Sequence, residues 1–221
     1  MGIISVEQAN RLYWLGRYAE RVYTTVRIYF KSFDSMIDEF ADSYHQFCQM
    51  IDIPDIYQDK DDFMSSYPFD ENNPDSIISN LNRAYDNAIV LRESIGSESL
   101  SYIQLAIYEM NKAKKSDAPL IELQQIIDDI LSFWGIVDDQ IDDSNIRNII
   151  KSGKRIERID LYARLGVGRD ELFREVKRMV PRVEQSGIDY DKDILSSIQK
   201  AFESTDIDYY KVVNMVESVY A

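Results

Sequence analysis

Apolar residues return every three or four positions through most of the chain. From Leu12 the series runs through Leu15, Ala19, Val22, Val26, Phe30, Phe33, Ile37, Phe40, Tyr44 and Phe47 to Ile51. That rhythm marks one buried helix face. It predicts a single long helix reaching about residue 51, opened by a capping box of Ser5 with Gln8. Pro54, Pro68 and Pro74 then bracket an acid-rich stretch, about 52–73, that reads as a long loop with at most one helical turn. Asn73 and Pro74 open the next helix, because proline suits the first helical turn. Ile77, Leu81, Ala84, Ala88, Leu91 and Ile95 carry it to Gly96, the expected C-terminal cap. Further helices are expected at about 98–115, 118–137 and 145–165, then shorter ones at about 170–185, 191–203 and 206–220. Asp117 with Pro119 starts the second of these, and Gly166 with Gly168 ends the third. With no alternating strand pattern, the expectation is an all-α helical bundle: one long N-terminal helix and about seven further helices in a single domain, 1–221.

One pattern is written twice. Residues 15–27, LGRYAERVYTTVR, and residues 152–164, SGKRIERIDLYAR, share glycine, glutamate and two arginines at identical spacing. Gly16, Glu20, Arg21 and Arg27 correspond to Gly153, Glu157, Arg158 and Arg164, with Arg17 matched by the basic Lys154. Each glutamate follows its glycine by about one helical turn, so it leans over the surface the glycine leaves bare. Glycine inside a helix costs about 1 kcal/mol relative to alanine. Two such glycines at matching places therefore point to a close approach, by a neighbouring helix or by a ligand beside the carboxylate. On a helical wheel Glu20 and Arg27 border the apolar face, whereas Arg17 and Arg21 point more toward solvent.

If the two motif helices pack together, their relative direction decides the chemistry. An antiparallel pair sets Glu20 against Arg164 and Glu157 against Arg27, as two structural ion pairs. A parallel pair sets Glu20 near Glu157, as twin carboxylates sharing a proton, a cation or a ring of arginines. Up-down alternation through three intervening helices makes the pair parallel, which is the expectation here.

Charge sharpens this picture. The net charge of −14 argues against general nucleic-acid binding. Residues 34–143 hold 6 basic and 24 acidic side chains, whereas residues 144–182 hold 11 basic and 5 acidic. Residues 1–33 hold 5 basic and 2 acidic, so both motif copies lie in basic segments. Motif helices of that sign are suited to an anionic contact: an acidic peptide, a phosphate, or the chain's own acidic middle. A single cysteine, Cys48, fits a reducing compartment. The opening MGIISVEQ is too short and weakly apolar for a signal peptide, and no apolar run has the length of a membrane span. A cytoplasmic protein is expected.

The residues also carry a resemblance. NRLYWLGRYAERVYTTVR, with Tyr13 inside it, resembles the opening of the bacterial alpha-E family, and Ser152 to Arg164 resembles that family's second motif. Phe133 to Gly135 is similar to the F-x-G that precedes it. Where the family tends to show Ala-Arg-Glu-Asn-Ala-Arg, this chain has Ala84, Tyr85, Asp86, Asn87, Ala88 and Ile89, with Arg92 following. Asp86 keeps a carboxylate there, and Asn87 and Arg92 join it as weaker site candidates. The resemblance implies an all-helical domain whose genes often neighbour ATP-grasp peptide-ligase-like and transglutaminase-like proteins. It therefore implies an accessory or partner role in ATP-dependent peptide synthesis or modification, with an ATP-grasp ligase-like protein as the partner. Two other readings stand beside it: an enzyme using Glu20 or Glu157 as an acid/base or magnesium-binding group, and a purely structural bundle. No cofactor is assigned.

Other acidic runs are weaker. DDQIDD, 138–143, resembles the DDxxD magnesium box of prenyl-diphosphate synthases. It lacks a second box and precedes a helix start where acids are favourable anyway, so it reads as a polar helix junction. DYDKD, 189–193, begins like a calcium loop, but Ile194 stands where glycine is needed and Lys200 where the closing glutamate is needed. His45, the single histidine, has no Glu-x-x-His partner for a di-iron site.

Overall fold

The computed structural model describes residues 4–38, 43–202 and 207–220, with the backbone alone for 34–38. Among these residues the regular structure is all helical, with no strand. The helices are α1 (Val6–Asp38), α2 (Ser43–Ile51), α3 (Lys60–Ser66), α4 (Ile77–Val90), α5 (Arg92–Ala113), α6 (Pro119–Gln140), α7 (Ser144–Arg164), α8 (Arg169–Glu184), α9 (Lys192–Ala201) and α10 (Tyr209–Glu217).

The long N-terminal helix is present: α1 has 33 residues, a rod of about 50 Å. Its capping serine works as expected, Ser5 Oγ accepting from the Gln8 amide at 3.1 Å. The Gln8 side chain does not close the capping box; it donates to Ser94 Oγ across to α5. Whether α1 and α2 are continuous, as the rhythm through Phe40 predicts, falls on residues outside those described. The stripe of Leu12, Leu15, Ala19, Val22 and Val26 has no solvent exposure at all.

Three expectations are corrected. The acidic stretch after α2 contains a seven-residue helix, α3, capped by Asp59, whose side chain accepts from the Asp62 amide. Phe63 and Tyr67, one turn apart, stack with ring centroids at 5.3 Å among Tyr29, Phe47 and Tyr57. This aromatic plug fixes the segment, and its two rings were too few to register as a periodic face. Next, α4 begins after Ser76, which caps it, and not at Pro74. Finally, Gly96 does not cap a helix running from 74. α4 ends at Val90, a single turn follows, and Gly96 breaks that turn from the rest of α5 with φ of 80°. Glycine tolerates this conformation and other residues resist it.

α1 packs against α7, α4 and α6, while α7 packs in turn against α8 and α10. One hydrophobic cluster spans α1 to the first half of α7, and a second joins Ile156 and Ile159 to α8, α9 and α10. Tyr13 packs against both. The motif helices therefore form the seam between the two clusters.

Candidate functional site

At the seam the two glycines meet the opposite helix. A Cβ built on Gly16 would lie 2.0 Å from the Ile150 carbonyl oxygen, and one on Gly153 would lie 2.2 Å from the Tyr13 carbonyl oxygen. No side chain other than hydrogen fits either position. Ile150 stands to the second motif as Tyr13 stands to the first, so the contact is nearly its own image under a two-fold rotation. Contacts advance together along both helices: Tyr13 with Gly153, then Arg17 with Glu157, then Arg21 with Glu157, and Glu20 with Arg158. The helices run parallel, as alternation predicts.

The carboxylates do not face each other alone. Each is held by the other helix's cations, as the ring-of-arginines form of the parallel arrangement. Arg17 Nε donates to Glu157 Oε2 at 2.6 Å, and Arg21 Nε donates to Glu157 Oε1. In the reciprocal direction Arg158 Nε donates to Glu20 Oε1 at 2.6 Å, and Thr24 Oγ1 donates to the same oxygen at 3.1 Å. Glu20 and Glu157 are wholly buried. Burial would lift the Glu157 carboxyl, but the Arg17 and Arg21 charges and hydrogen bonds outweigh it and hold the group below its usual range. Burial also pushes the neighbouring Tyr13 phenol up to about 12, so it stays neutral.

The helical wheel misplaced two arginines. Arg17 is 5% exposed, paired with Glu157 and also within 3.5 Å of Asp160, and its guanidinium lies over the Trp14 ring at 5.0 Å. Arg27 is exposed and outside the clamp. A wheel ranks hydrophobicity on one helix and cannot register a carboxylate supplied by another. Arg164 also lies outside the clamp, bonded to Asp160 at 2.7 Å and to Asp52 at 2.8 Å. The three weaker candidates of the middle segment do not join it. Asp86 is exposed, Arg92 donates to Ser97 Oγ, and Asn87 receives Arg11 at 3.5 Å.

Several participants were missed in the sequence. Asp160 bridges Arg17 and Arg164. Glu175 on α8 gathers Arg155 at 2.5 Å, Arg178 at 2.6 Å and Arg158 at 3.9 Å. The four-residue spacing from Asp160 to Arg164 could have signalled the first; nothing in the repeat points to the second. The acidic junction is occupied by structure: Asp143 caps α7 through the Asn145 and Ile146 amides, and Asp138 pairs with Lys151.

The clamp is not fully symmetric. Where Arg17 reaches Glu157, its counterpart Lys154 makes no hydrogen bond or ion pair among the described residues, and its Nζ sits 3.9 Å above the Trp134 ring. Glu20 Oε2 is buried with no hydrogen-bond partner. Burial pushes the Lys154 amine down to about 7, Glu20 opposing and Arg158 and Arg155 assisting the shift. Its unfolded value is near 10.5, so the unfolded chain binds the extra proton between about 7 and 10.5. Stability should rise with pH across that window. Replacing Lys154 by arginine supplies a donor for Glu20 Oε2, as Arg17 does for Glu157. Lys154→Arg should raise stability by about 1 kcal/mol and remove the pH slope. Chemical denaturation at pH 7 and pH 9 checks both, and a lowered midpoint with the slope intact would contradict the asymmetry described.

Cavities flank the clamp. One of about 560 Å³ lies at its N-terminal side, walled by Tyr13, Trp14, Arg17 and Tyr220. A small polar one of about 170 Å³ is lined by Arg21, Thr25, Asp52, Tyr67 and Arg164. A third, about 560 Å³, opens beyond it between α1, α2 and the α7–α8 junction. Among the described residues no group of histidine, cysteine and carboxylate side chains could hold a metal ion, and no helix is long and apolar enough to cross a membrane.

No curated protein and no solved structure matches the chain. A family model described as a predicted alpha-helical domain with a conserved ER motif matches residues 7–207. The dipeptide Glu-Arg occurs in this sequence at 20–21 and 157–158 and nowhere else. Those are the two dipeptides that interlock across α1 and α7, and the chain belongs to the alpha-E family.

Proposed function

We propose that the protein is an accessory or partner protein in ATP-dependent, ATP-grasp-type peptide synthesis or modification. In this reading the two Glu-Arg motifs form one shared structural site that sets the shape of its binding surfaces. The observation carrying it is the complete burial of both motif carboxylates against arginines. A general base or metal-binding carboxylate has to meet substrate, and neither Glu20 nor Glu157 is among the described residues lining the three cavities above. The ATP-grasp partner comes from the family resemblance.

The enzyme reading keeps one observation in its favour: Glu20 Oε2 without a partner near the unpaired Lys154 amine. Co-expression with an ATP-grasp ligase-like protein from the same organism separates the two. The accessory reading expects co-elution on size exclusion and peptide-dependent ATP turnover that needs both proteins. ATP or peptide turnover by the isolated chain, abolished in Glu20→Gln at unchanged melting temperature, would reverse the assignment.

A further inference from the structure

Among the other differences between the two motif copies, one leaves a cation without a carboxylate. Position 160 in the second copy is aspartate, and it binds Arg164 four residues on. The corresponding position in the first copy is Tyr23. Arg27 therefore meets a phenol: its Nη1 donates to Tyr23 Oη at 3.4 Å, with the guanidinium 5.3 Å from the ring centroid. Among the described residues it forms no ion pair.

Arg27 stands on the groove of about 560 Å³ between α1, α2 and the α7–α8 junction, a volume within the usual range for a ligand pocket. Lys31 lies on the same wall, and among the described residues Glu171 is the acid that lines it. The Ser43 hydroxyl, also on the lining, is buried without a hydrogen-bond partner. Ile28, Met50, Leu165 and Val167 form apolar wall beside these groups.

We propose that this groove binds a carboxylate of an acidic peptide, with Arg27 as the anchoring cation. A planar guanidinium matches a carboxylate through two parallel hydrogen bonds. The apolar walls suit the methylene stem of a glutamyl side chain, which a bare phosphate lacks. Thr24 lines the groove and bonds Glu20, so the site abuts the clamp without drawing on its arginines. The proposal stands on the groove alone and survives if the ATP-grasp partnership fails.

Calorimetric titration of the full chain with tetraglutamate, tetraglutamine and inorganic phosphate tests it. Tetraglutamate should bind saturably and tetraglutamine should not. Arg27→Ala should weaken tetraglutamate binding about tenfold or more at an unchanged melting temperature, because Arg27 supports no ion pair. Arg27→Lys should retain part of the affinity, and Glu171→Gln should tighten binding by removing the opposing charge. The melting temperatures separate lost binding from lost folding. Absence of tetraglutamate binding, indifference to Arg27→Ala, or tighter binding of phosphate than of tetraglutamate would each overturn the assignment.

Discussion

Glu157→Gln should destabilise the protein by about 3–5 kcal/mol, the cost of leaving a buried ion pair with only its cations. The substitution preserves shape and removes the charge that faces both Arg17 and Arg21. Arg17 keeps Asp160 at 3.5 Å, but burial pushes that carboxyl up and Arg164 already holds its other oxygen at 2.7 Å, so it is a weaker counter-ion. Glu20→Gln should cost less. Glu20 has a single arginine, Arg158, which retains Glu175 at 3.9 Å, and one of its oxygens has no partner to lose. Urea unfolding of both variants checks the order as well as the size. The depressed Glu157 value also fixes the sign of the acid response. Its contribution is complete above the unfolded carboxyl pKa and disappears as pH falls through the lower folded value. Glu157→Gln should therefore flatten the acid limb of the stability curve.

Gly16→Ala and Gly153→Ala should each destabilise by about 2–4 kcal/mol, against an intrinsic helix preference of about 1 kcal/mol in the opposite direction. The added methyl would fall 2.0 Å from Ile150 O or 2.2 Å from Tyr13 O. Both are backbone atoms within helices and cannot rotate aside. α1 and α7 must separate by about 1 Å before the contact becomes tolerable, and close-packed interiors do not absorb such a shift locally. Separation also stretches the 2.6 Å ion pairs on either side of the crossing. Gly135 supplies the control: it lies inside α6, and a Cβ there meets nothing within 4 Å. Gly135→Ala should be neutral or stabilising by up to about 1 kcal/mol. Thermal melts of the three variants read the contrast directly.

The interlock was legible in part. Gly16 and Gly153 declared a close approach because glycine is unfavourable inside a helix, and their matched spacing to glutamate identified the seam. The parallel direction followed from counting helices, since α2 and α3 do not alter the alternation of α1, α4, α5, α6 and α7. The roles of individual arginines were not legible. Arg17 and Arg27 were placed on the wrong sides because burial of a guanidinium depends on a carboxylate contributed by another helix. The sequence predicts at most one helical turn where α3 forms, because Phe63 and Tyr67 make too short an apolar pattern. Their burial comes from Tyr29 and Phe47, distant in sequence. Glu175 entered the cluster through the packing of α8 on α7, a contact no local pattern specifies.

The central claim is that the Glu-Arg motifs act on each other, across helices, as one clamp. A double-mutant cycle of Arg17→Met with Glu157→Gln, read as unfolding free energy, tests it most directly. The account predicts a coupling of about 2 kcal/mol or more for that pair, and a clearly smaller coupling for Arg17→Met with Glu20→Gln. Additivity of Arg17→Met and Glu157→Gln within about 0.5 kcal/mol would contradict it.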